Sequence, residues 1–477
     1  MKVALSLVHT LIATALVLLV TGGAAEAQDA TTAARDRLGR EILKELIETN
    51  TTDSAGDTTI ASERMAARLL TAGFPRADVV IVGGTDKRHN LVARLRGRPS
   101  GLKPVLFLAH LDVVEAKRED WSMDPFVLTE RDGWFYGRGT IDVKGGAAAL
   151  VTAFAGLRQS GWVPERDLIL ALTADEEGGP HNGVEWLLAN RRDLIDAAYA
   201  INVDAGGPEL RGDTVTALDV QAAEKVFITY TLTARNPGGH SSLPVKENAI
   251  YRLAAALQRL SALDLPVRTN EVSRGYFAGT AAKTAGPDAA DFRAVASASP
   301  DAAAARRLSA KSPFFNAMLR TTCVPTLLEG GHAENALPQT ARATVNCRML
   351  PDEKPADVLR ALIDAVADPD IEVVTSRQPV ASPPSPLVSE VLAALQTAAK
   401  ATWNAAVPIV PMMETGATDG LYLRNAGMPV YGVTGIAYDP DDYRAHGKDE
   451  RILVRSYYQG ITFAEALIRA LGGATSR

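Results

Sequence analysis

Short apolar runs of strand length, separated by helical stretches, constrain the fold of this chain more than any other feature. Val79–Val82, Asn90–Leu95, Val105–Ala109, Leu168–Thr173 and Ala198–Val203 read as strands. Between them Gly145–Gln159 and Val184–Asn190 are helical in pattern. Residues 36–73 hold two more helices, with Leu38, Ile42, Leu46 and Ile47, then Met65, Ala66, Leu69 and Leu70, at helical spacing. Strands alternating with helices predict an α/β fold whose sheet is covered on both faces. From Glu224 the texture changes. Val226–Ala234 alternates as a half-exposed strand does, followed by a helix over Ala249–Leu260 and an Ala-, Asp- and Ser-rich stretch, 270–310, without clear period. Strands over Thr321–Leu328 and Ala341–Met349, a helix over Ala356–Val366 and a strand over Ile371–Thr375 complete a β-α-β-β-α-β order, a ferredoxin-like pattern. Gln378–Pro386, with four prolines, reads as a linker. Helical periodicity resumes at Leu387–Ala401, and runs near Val407 and Val430 can rejoin the first sheet. The expected plan is a leader over 1–27, a main unit in two parts, 28–223 and 379–477, and an inserted unit over 224–378.

The strand ends carry the chemistry. Val105–Ala109 stops at His110-Leu111-Asp112, and alternation puts His110 and Asp112 on one face. Asp112 can then accept the second imidazole N–H, as metal-bound histidines need. Gly137-Arg138-Gly139-Thr140-Ile141-Asp142-Val143-Lys144-Gly145-Gly146 sets Asp142 just before a helix. Leu168–Thr173 leads to Asp175-Glu176-Glu177-Gly178-Gly179, and Ala200–Val203 leads to Asp204. His446 follows far downstream, in Ala445-His446-Gly447-Lys448-Asp449-Glu450. Taken singly, each is an ordinary cap, turn or surface histidine. Their repetition at strand ends points to a ligand site at the carboxyl edge of the sheet, with donors suited to zinc and similar divalent ions.

The ordered set H-x-D, G-R-G-x-x-D-x-K-G-G, D-E-E-G, a strand-end Asp and a late H-G-x-D-E resembles the M20 family of metallopeptidases. Asn236-Pro237-Gly238-Gly239-His240-Ser241-Ser242, Asn335-Ala336-Leu337-Pro338 and Arg348-Met349-Leu350-Pro351 also match that family's pattern. Asn316–Thr322 is similar to its carboxypeptidase S and secreted N-acyl-amino-acid hydrolase branch. The resemblance implies a zinc-exopeptidase-like unit with a mixed sheet and helices on both faces, interrupted by a ferredoxin-like lid or dimerisation unit. It implies two zinc or similar divalent ions sharing Asp142, one also held by His110 and Asp204, the other by Glu177 and His446. It makes Glu176 the general base and then acid, and Asp112 the partner of His110. Asn335, Arg348 and Gly416 become contacts to a substrate carboxylate, and His240 a donor reaching the site of a second subunit in a homodimer. A cis peptide bond at Asp142–Val143 is also implied. Lys144, protonated, cannot ligate and is expected in packing or a salt bridge at the helix start; His89, His181 and His332 are expected to be structural.

Lys2, the apolar run Val3–Val20 and Ala25-Glu26-Ala27 have the form of a cleaved secretory leader, with an uncleaved anchor helix as the alternative. Export to the periplasm or the medium follows, without a stable membrane anchor after cleavage. The formal charge of −6 gives no basic footprint, so nucleic acid is not expected as a partner. Two cysteines, Cys323 and Cys347, exclude a disulfide scaffold and a Cys-rich zinc cluster. A register pairing residues that sum to 670 sets them opposite each other, as a disulfide or as two buried thiols. The leading expectation is a metallo-carboxypeptidase or dipeptidase. An N-acyl-amino-acid amidohydrolase is the close alternative; an exported solute-binding protein and a two-metal phosphoesterase are remote ones. The pocket for the acyl side is not legible in the sequence.

Overall fold

The computed structural model describes residues 30–380 and 382–473, so the leader at 1–27 lies outside the described residues. The larger sheet runs, strand by strand, Val79–Gly83, His89–Leu95, Leu168–Thr173, Val105–His110, Tyr199–Asn202, Val430–Gly432, Thr214–Glu224 and Ile409–Glu414, with Gly207–Arg211 paired on Thr214–Glu224. Val105–His110 lies parallel to both of its neighbours at the centre of this sheet. A parallel strand covered on both faces cannot alternate polar with apolar, which is why its sequence is almost wholly apolar. Phe107 and Ala109 face one core, Leu106 and Leu108 the other. Phe107 meets Phe154 of helix Lys144–Gln159 edge-on, with ring centroids 5.6 Å apart.

The smaller sheet is ordered Thr322–Gly330, Thr340–Met349, Val226–Arg235, Ile371–Arg377, all antiparallel. Helices Ala249–Ser261 and Pro355–Val366 pack on it, and Leu253 and Leu362 join Tyr230, Leu232 and Val345 in a separate core. The topology is the ferredoxin-like one expected from the element order. Cys323 stands directly opposite Cys347 in register, and the two sulfurs are bonded. After Pro325 a bulge shifts that register by one residue.

The stretch at 270–310, expected to be irregular, is helical. Glu271–Lys283, Pro287–Val295, Ala302–Lys311 and Pro313–Leu319 are four short helices. Nor do they belong to the smaller sheet: Val272, Phe277, Phe292, Leu308 and Met318 are part of the larger core. Two glycines explain the docking. A Cβ at Gly275 would lie 2.5 Å from Pro411 Cγ, and one at Gly279 would lie 3.0 Å from Val410. Spaced one turn apart, they give the first helix a bare stripe that lies directly on strand Ile409–Glu414. The outer edge of the smaller sheet is therefore uncovered, with Val324, Leu327 and Leu328 at 57%, 62% and 68% exposure.

The linker reading of Gln378–Pro386 also needs correction, because part of it is packed. Ser385 is buried, its N–H donates to Ala222 O and its hydroxyl to Val430 O, while buried Ser382 donates to Glu224. Sequence reading also missed the strands Gly207–Arg211 and Thr214–Glu224, and the small sheet of Thr129–Arg131, Trp134–Tyr136 and Arg451–Leu453.

Candidate active site

The ends of three neighbouring parallel strands and two loops bring the acids together. His110 ends its strand with its ring buried. Its Nδ1 lies 3.0 Å from the backbone oxygen of Asp112. A carbonyl oxygen only accepts, so Nδ1 carries a proton; Nε2 faces carboxylate oxygens, which also only accept, and carries one too, in the place a bound cation would take. The Asp112 carboxylate is further off, 3.7 Å from Nδ1, and accepts instead from the Glu177 N–H at 2.9 Å. Asp112 thus orients both His110, through its carbonyl, and the Glu176-Glu177 turn, through its side chain.

His110 Nε2 faces Asp142 Oδ1 at 3.1 Å and Asp204 Oδ1 at 3.4 Å. His446 Nε2 lies 3.0 Å from Asp142 Oδ2 and 3.0 Å from Glu177 Oε2. Asp142 is therefore shared, with one imidazole on each oxygen. Donor atoms of His110, Asp142 and Glu177 fall within 4.8 Å of one another, as do those of His110, Glu176 and Asp204. The Asp142–Val143 peptide is cis. His446 itself adopts a left-handed backbone, φ +61°, a conformation uncommon outside glycine and concentrated at functional sites.

The electrostatics ask for cations. No Lys or Arg pairs with Asp142, Glu176, Glu177 or Asp204 among the described residues, so two imidazoles face four carboxylates. Burial, and then the neighbouring Asp204, push Glu176 well above the usual carboxylate range. Burial also lifts Asp204, to about 7, against the pull of His110. Asp142 goes the other way: hydrogen bonds from His110 and His446 overcome its burial and hold it low. Hydrogen bonds to Asp142 and Glu177 raise His446 to about 10. Clustered buried acids of this kind fit divalent ions bound by imidazole and carboxylate.

Two residues of the quoted motifs acquire a role that spacing did not reveal. Glu450, wholly buried, accepts from Ile141 N at 2.8 Å and Asp142 N at 3.2 Å through Oε1. Its Oε2 accepts from Gly139 N at 3.1 Å and Arg138 Nη1 at 2.7 Å. Arg138 also donates to His446 O at 3.4 Å and lies over the Trp121 ring. The pair thus clamps the loop of Asp142 to the loop of His446. Lys144 is buried and donates to Thr49 O at 2.8 Å, a packing role at the helix start.

Two cavities flank the acids and share Glu176, Glu177, Ala417 and Thr418. One, of about 380 Å³, contains Arg348, which stacks on Phe227 at 4.8 Å and has no ion pair among the described residues. The other, of about 840 Å³, reaches from Asp142, Asp204, His446 and Gly416 to rings of Tyr276, Phe314, Phe315, Tyr438 and Tyr443. Three of those rings come from the helices at 271–319, whose aromatic residues were the overlooked signal. His240 and Asn335 line neither cavity. They are exposed, on the paired short strands Gly239–His240 and Ala336–Leu337 and the turn beside them. Asn335 O accepts from Ser241 N, and the hydroxyl of Ser242 is 2.7 Å from His240 Nδ1.

The comparisons agree with this geometry. The pattern of Peptidase family M20/M25/M40 matches residues 106–470. The chain is 29% identical over 392 residues to human N-fatty-acyl-amino acid synthase/hydrolase PM20D1, covering 79% of this chain and 75% of that one. It is 27% identical over 409 residues to the probable carboxypeptidase S-like 2 of Dictyostelium discoideum, covering 83% and 77%. The fold matches an M20 family metallo-carboxypeptidase, Sso-CP2 of Sulfolobus solfataricus, with a TM-score of 0.68 at 19% identity over 91% of this chain and 99% of that one. It matches human carnosine dipeptidase 1 with a TM-score of 0.61 at 17% identity, over 93% and 98%. A shared carboxylate between two imidazoles, on this fold and with that sequence match, leads to one conclusion: the chain is a hydrolytic enzyme belonging to peptidase family M20/M25/M40.

Proposed function

We propose that the protein hydrolyses an amide bond whose amine half bears a free carboxylate, as a metallo-carboxypeptidase or dipeptidase. The observation that carries this reading is the Arg348 guanidinium, unpaired among the described residues, in one cavity beside Glu176, with a second, ring-lined cavity on the other side of the same acids. A half-buried guanidinium without an acid partner suits a carboxylate bidentately. Asn335 and the backbone of Gly416 are proposed as further contacts to that carboxylate. His110, Asp204 and the shared Asp142 would hold one divalent ion, zinc in the first instance; Asp142, Glu177 and His446 would hold the other. When bound, such a pair polarises the carbonyl and acidifies the attacking water. Glu176 takes the water proton on its carboxylate and passes it to the leaving nitrogen. Asp112 fixes the imidazole of His110, and Arg348 holds the amine half so that its nitrogen stays within reach of Glu176.

The ring-lined cavity favours a second reading of the same site, an N-acyl-amino-acid amidohydrolase, and the human relative's printed name points the same way. A panel of dipeptides and N-acyl amino acids, each as free acid and as carboxamide, tests both. Free acids should be cleaved, and carboxamides should lose most of kcat/KM in wild type but little more in Arg348→Ala. Equal cleavage of acid and carboxamide by wild type refutes the carboxylate anchor.

The inserted sheet is proposed as a lid and dimerisation unit. The uncovered edge Thr322–Gly330 supports this, as does the exposure of His240 away from its own chain's acids. His240 would then donate to the oxyanion in the partner's site. Co-expressing His240→Ala with Glu176→Gln should restore activity in mixed dimers; mixed dimers that stay inactive refute the shared site. Export is proposed from the leader pattern, with support from the Cys323–Cys347 bond, since disulfides persist in oxidising compartments. Protein from the periplasm or medium should begin at Gln28.

A further inference from the structure

The wall of the ring-lined cavity carries an acid with no part in the chemistry at Glu176. Glu414 ends strand Ile409–Glu414, lines the cavity and is partly exposed. Among the described residues its carboxylate accepts only from the turn that follows it, with Thr415 N at 2.9 Å and Thr415 Oγ1 at 3.5 Å, both on Oε1. A carboxylate has about four lone-pair sites, so most of its capacity is unused. Oε2 is not sealed from solvent as the unpaired oxygens of Asp112 and Asp219 are. Tyr443 and Asp219, elsewhere on the cavity wall, both feel the Glu414 charge. No Lys, Arg or His pairs with Glu414 among the described residues. The charged group that acts on it is a second acid, Glu224, itself paired with Arg424. Water covers such a carboxylate while the cavity is open. An alkyl chain lying there would displace that water and leave a charge without a donor, which is costly. An ammonium in the same place replaces the water with a charge-assisted hydrogen bond. The rings of Tyr438 and Tyr443, with centroids 5.7 Å apart on the same wall, attract it as well.

We infer that Glu414 binds an ammonium group on the acyl half of the substrate, so that the preferred substrates are dipeptides with a free amino group rather than N-acyl amino acids. The inference rests on the reading that the acyl half occupies this cavity, and it chooses between the two substrate classes of that reading. Glu414 is here a specificity residue: it touches the substrate but takes no part in the proton transfers at Glu176.

The experiment compares, on zinc-loaded full-length protein, the glycyl, β-alanyl and γ-aminobutyryl derivatives of one amino acid with their propionyl, butanoyl and pentanoyl counterparts. In each pair a methyl group stands in for the ammonium. At the best length the amine should be preferred in kcat/KM by about ten- to hundredfold, the range for a hydrogen bond to a charged group. Glu414→Gln should bring that ratio close to one, and Glu414→Met should turn it in favour of the alkanoyl chain. Each ratio compares two substrates on one preparation, so it does not depend on how much of a variant folds. Equal cleavage of both series by wild type overturns the inference. An unchanged ratio in Glu414→Gln also overturns it, and leaves Glu414 as a brace for the Thr415 turn. A second readout is independent of turnover: by titration calorimetry, Glu176→Gln should bind the aminoacyl compound more tightly than its alkanoyl counterpart, and the double variant Glu176→Gln/Glu414→Gln should not. If neither series is cleaved by wild type but this difference appears, the hydrolysis reading fails and the ammonium site stands. If both series are cleaved alike and the difference is missing, the ammonium site fails alone.

Discussion

Replacing Glu450 by Gln tests how the Asp142 and His446 loops are held. The two carboxylate oxygens of Glu450 receive four donors: Ile141 N, Asp142 N, Gly139 N and Arg138 Nη1. Gln keeps one acceptor oxygen and turns an NH₂ toward the other pair. Whichever way it points, two donors lose their acceptor, and the Arg138 charge, 3% exposed, loses its counter-charge. Burial pushes the Glu450 pKa up despite the pull of Arg138, so the pair itself is no large source of stability. The loss comes from stranding the guanidinium. Breaking a buried pair by removing one partner costs about 3–5 kcal/mol. Chemical denaturation of the metal-free protein should show that loss for Glu450→Gln. Adding Arg138→Met should recover a large part of it, because no charge is then left unpaired. Metal titration of Glu450→Gln should also show weaker binding, since Asp142 N has lost its fixed acceptor. A variant within about 1 kcal/mol of wild type, well below the cost of a stranded buried charge, that still binds metal normally would refute the clamp.

Three further outcomes are expected. Glu176→Gln should keep two divalent ions per chain by metal analysis but lose roughly 10²–10⁴-fold in kcat; loss of metal in step with activity would make Glu176 a ligand. Replacing both Cys323 and Cys347 by Ala opens a loop with a sequence separation of 24 and should cost about 3 kcal/mol in denaturant melts; no change would mean that the bond adds nothing to the smaller sheet. Burial lowers Lys225 from the usual 10.5 to about 7, so between those values the unfolded chain holds the extra proton and stability rises with pH. Lys225→Met should flatten that rise and raise stability below about pH 7 relative to wild type; a parallel pH profile would refute the assignment.

The strand-end acids were legible because buried parallel strands leave a plain signature, and every one of them ends where the sheet's carboxyl edge must lie. His110, Glu177 and Asp204 come together for that reason, and the loops of Asp142 and His446 close on them. The helices at 271–319 were not legible. Each helix is short, and its buried face mixes small residues such as Ser273, Ala281, Ala304 and Ala305 with a few large ones such as Phe277 and Leu308, so hydrophobic periodicity is weak. What fixes them is the bare stripe of Gly275 and Gly279 against Pro411 and Val410, residues far apart in the chain. Arg138 and Glu450 were visible as motif letters only. A bond between positions 312 residues apart leaves no trace in local spacing. The ring-lined cavity was unreadable for the same reason, since its rings come from separate segments.

An inserted unit joined by one outgoing and one returning strand can swing on those two threads as a door does on its hinges. Here the chain crosses between the two sheets four times, because it leaves the smaller sheet after Ser261, docks 271–319 on the larger core, and returns at Thr322 before its final exit after Arg377. Two of the crossings are laced together, with Lys225 Nζ donating to Arg320 O at 2.8 Å. Excising 224–378 would strip Phe277 and Phe292 out of the larger core along with the smaller sheet. The segment 271–319 is therefore fixed to the larger core while the smaller sheet keeps a core of its own, and cutting at 224 and 378 would leave neither piece a complete globule.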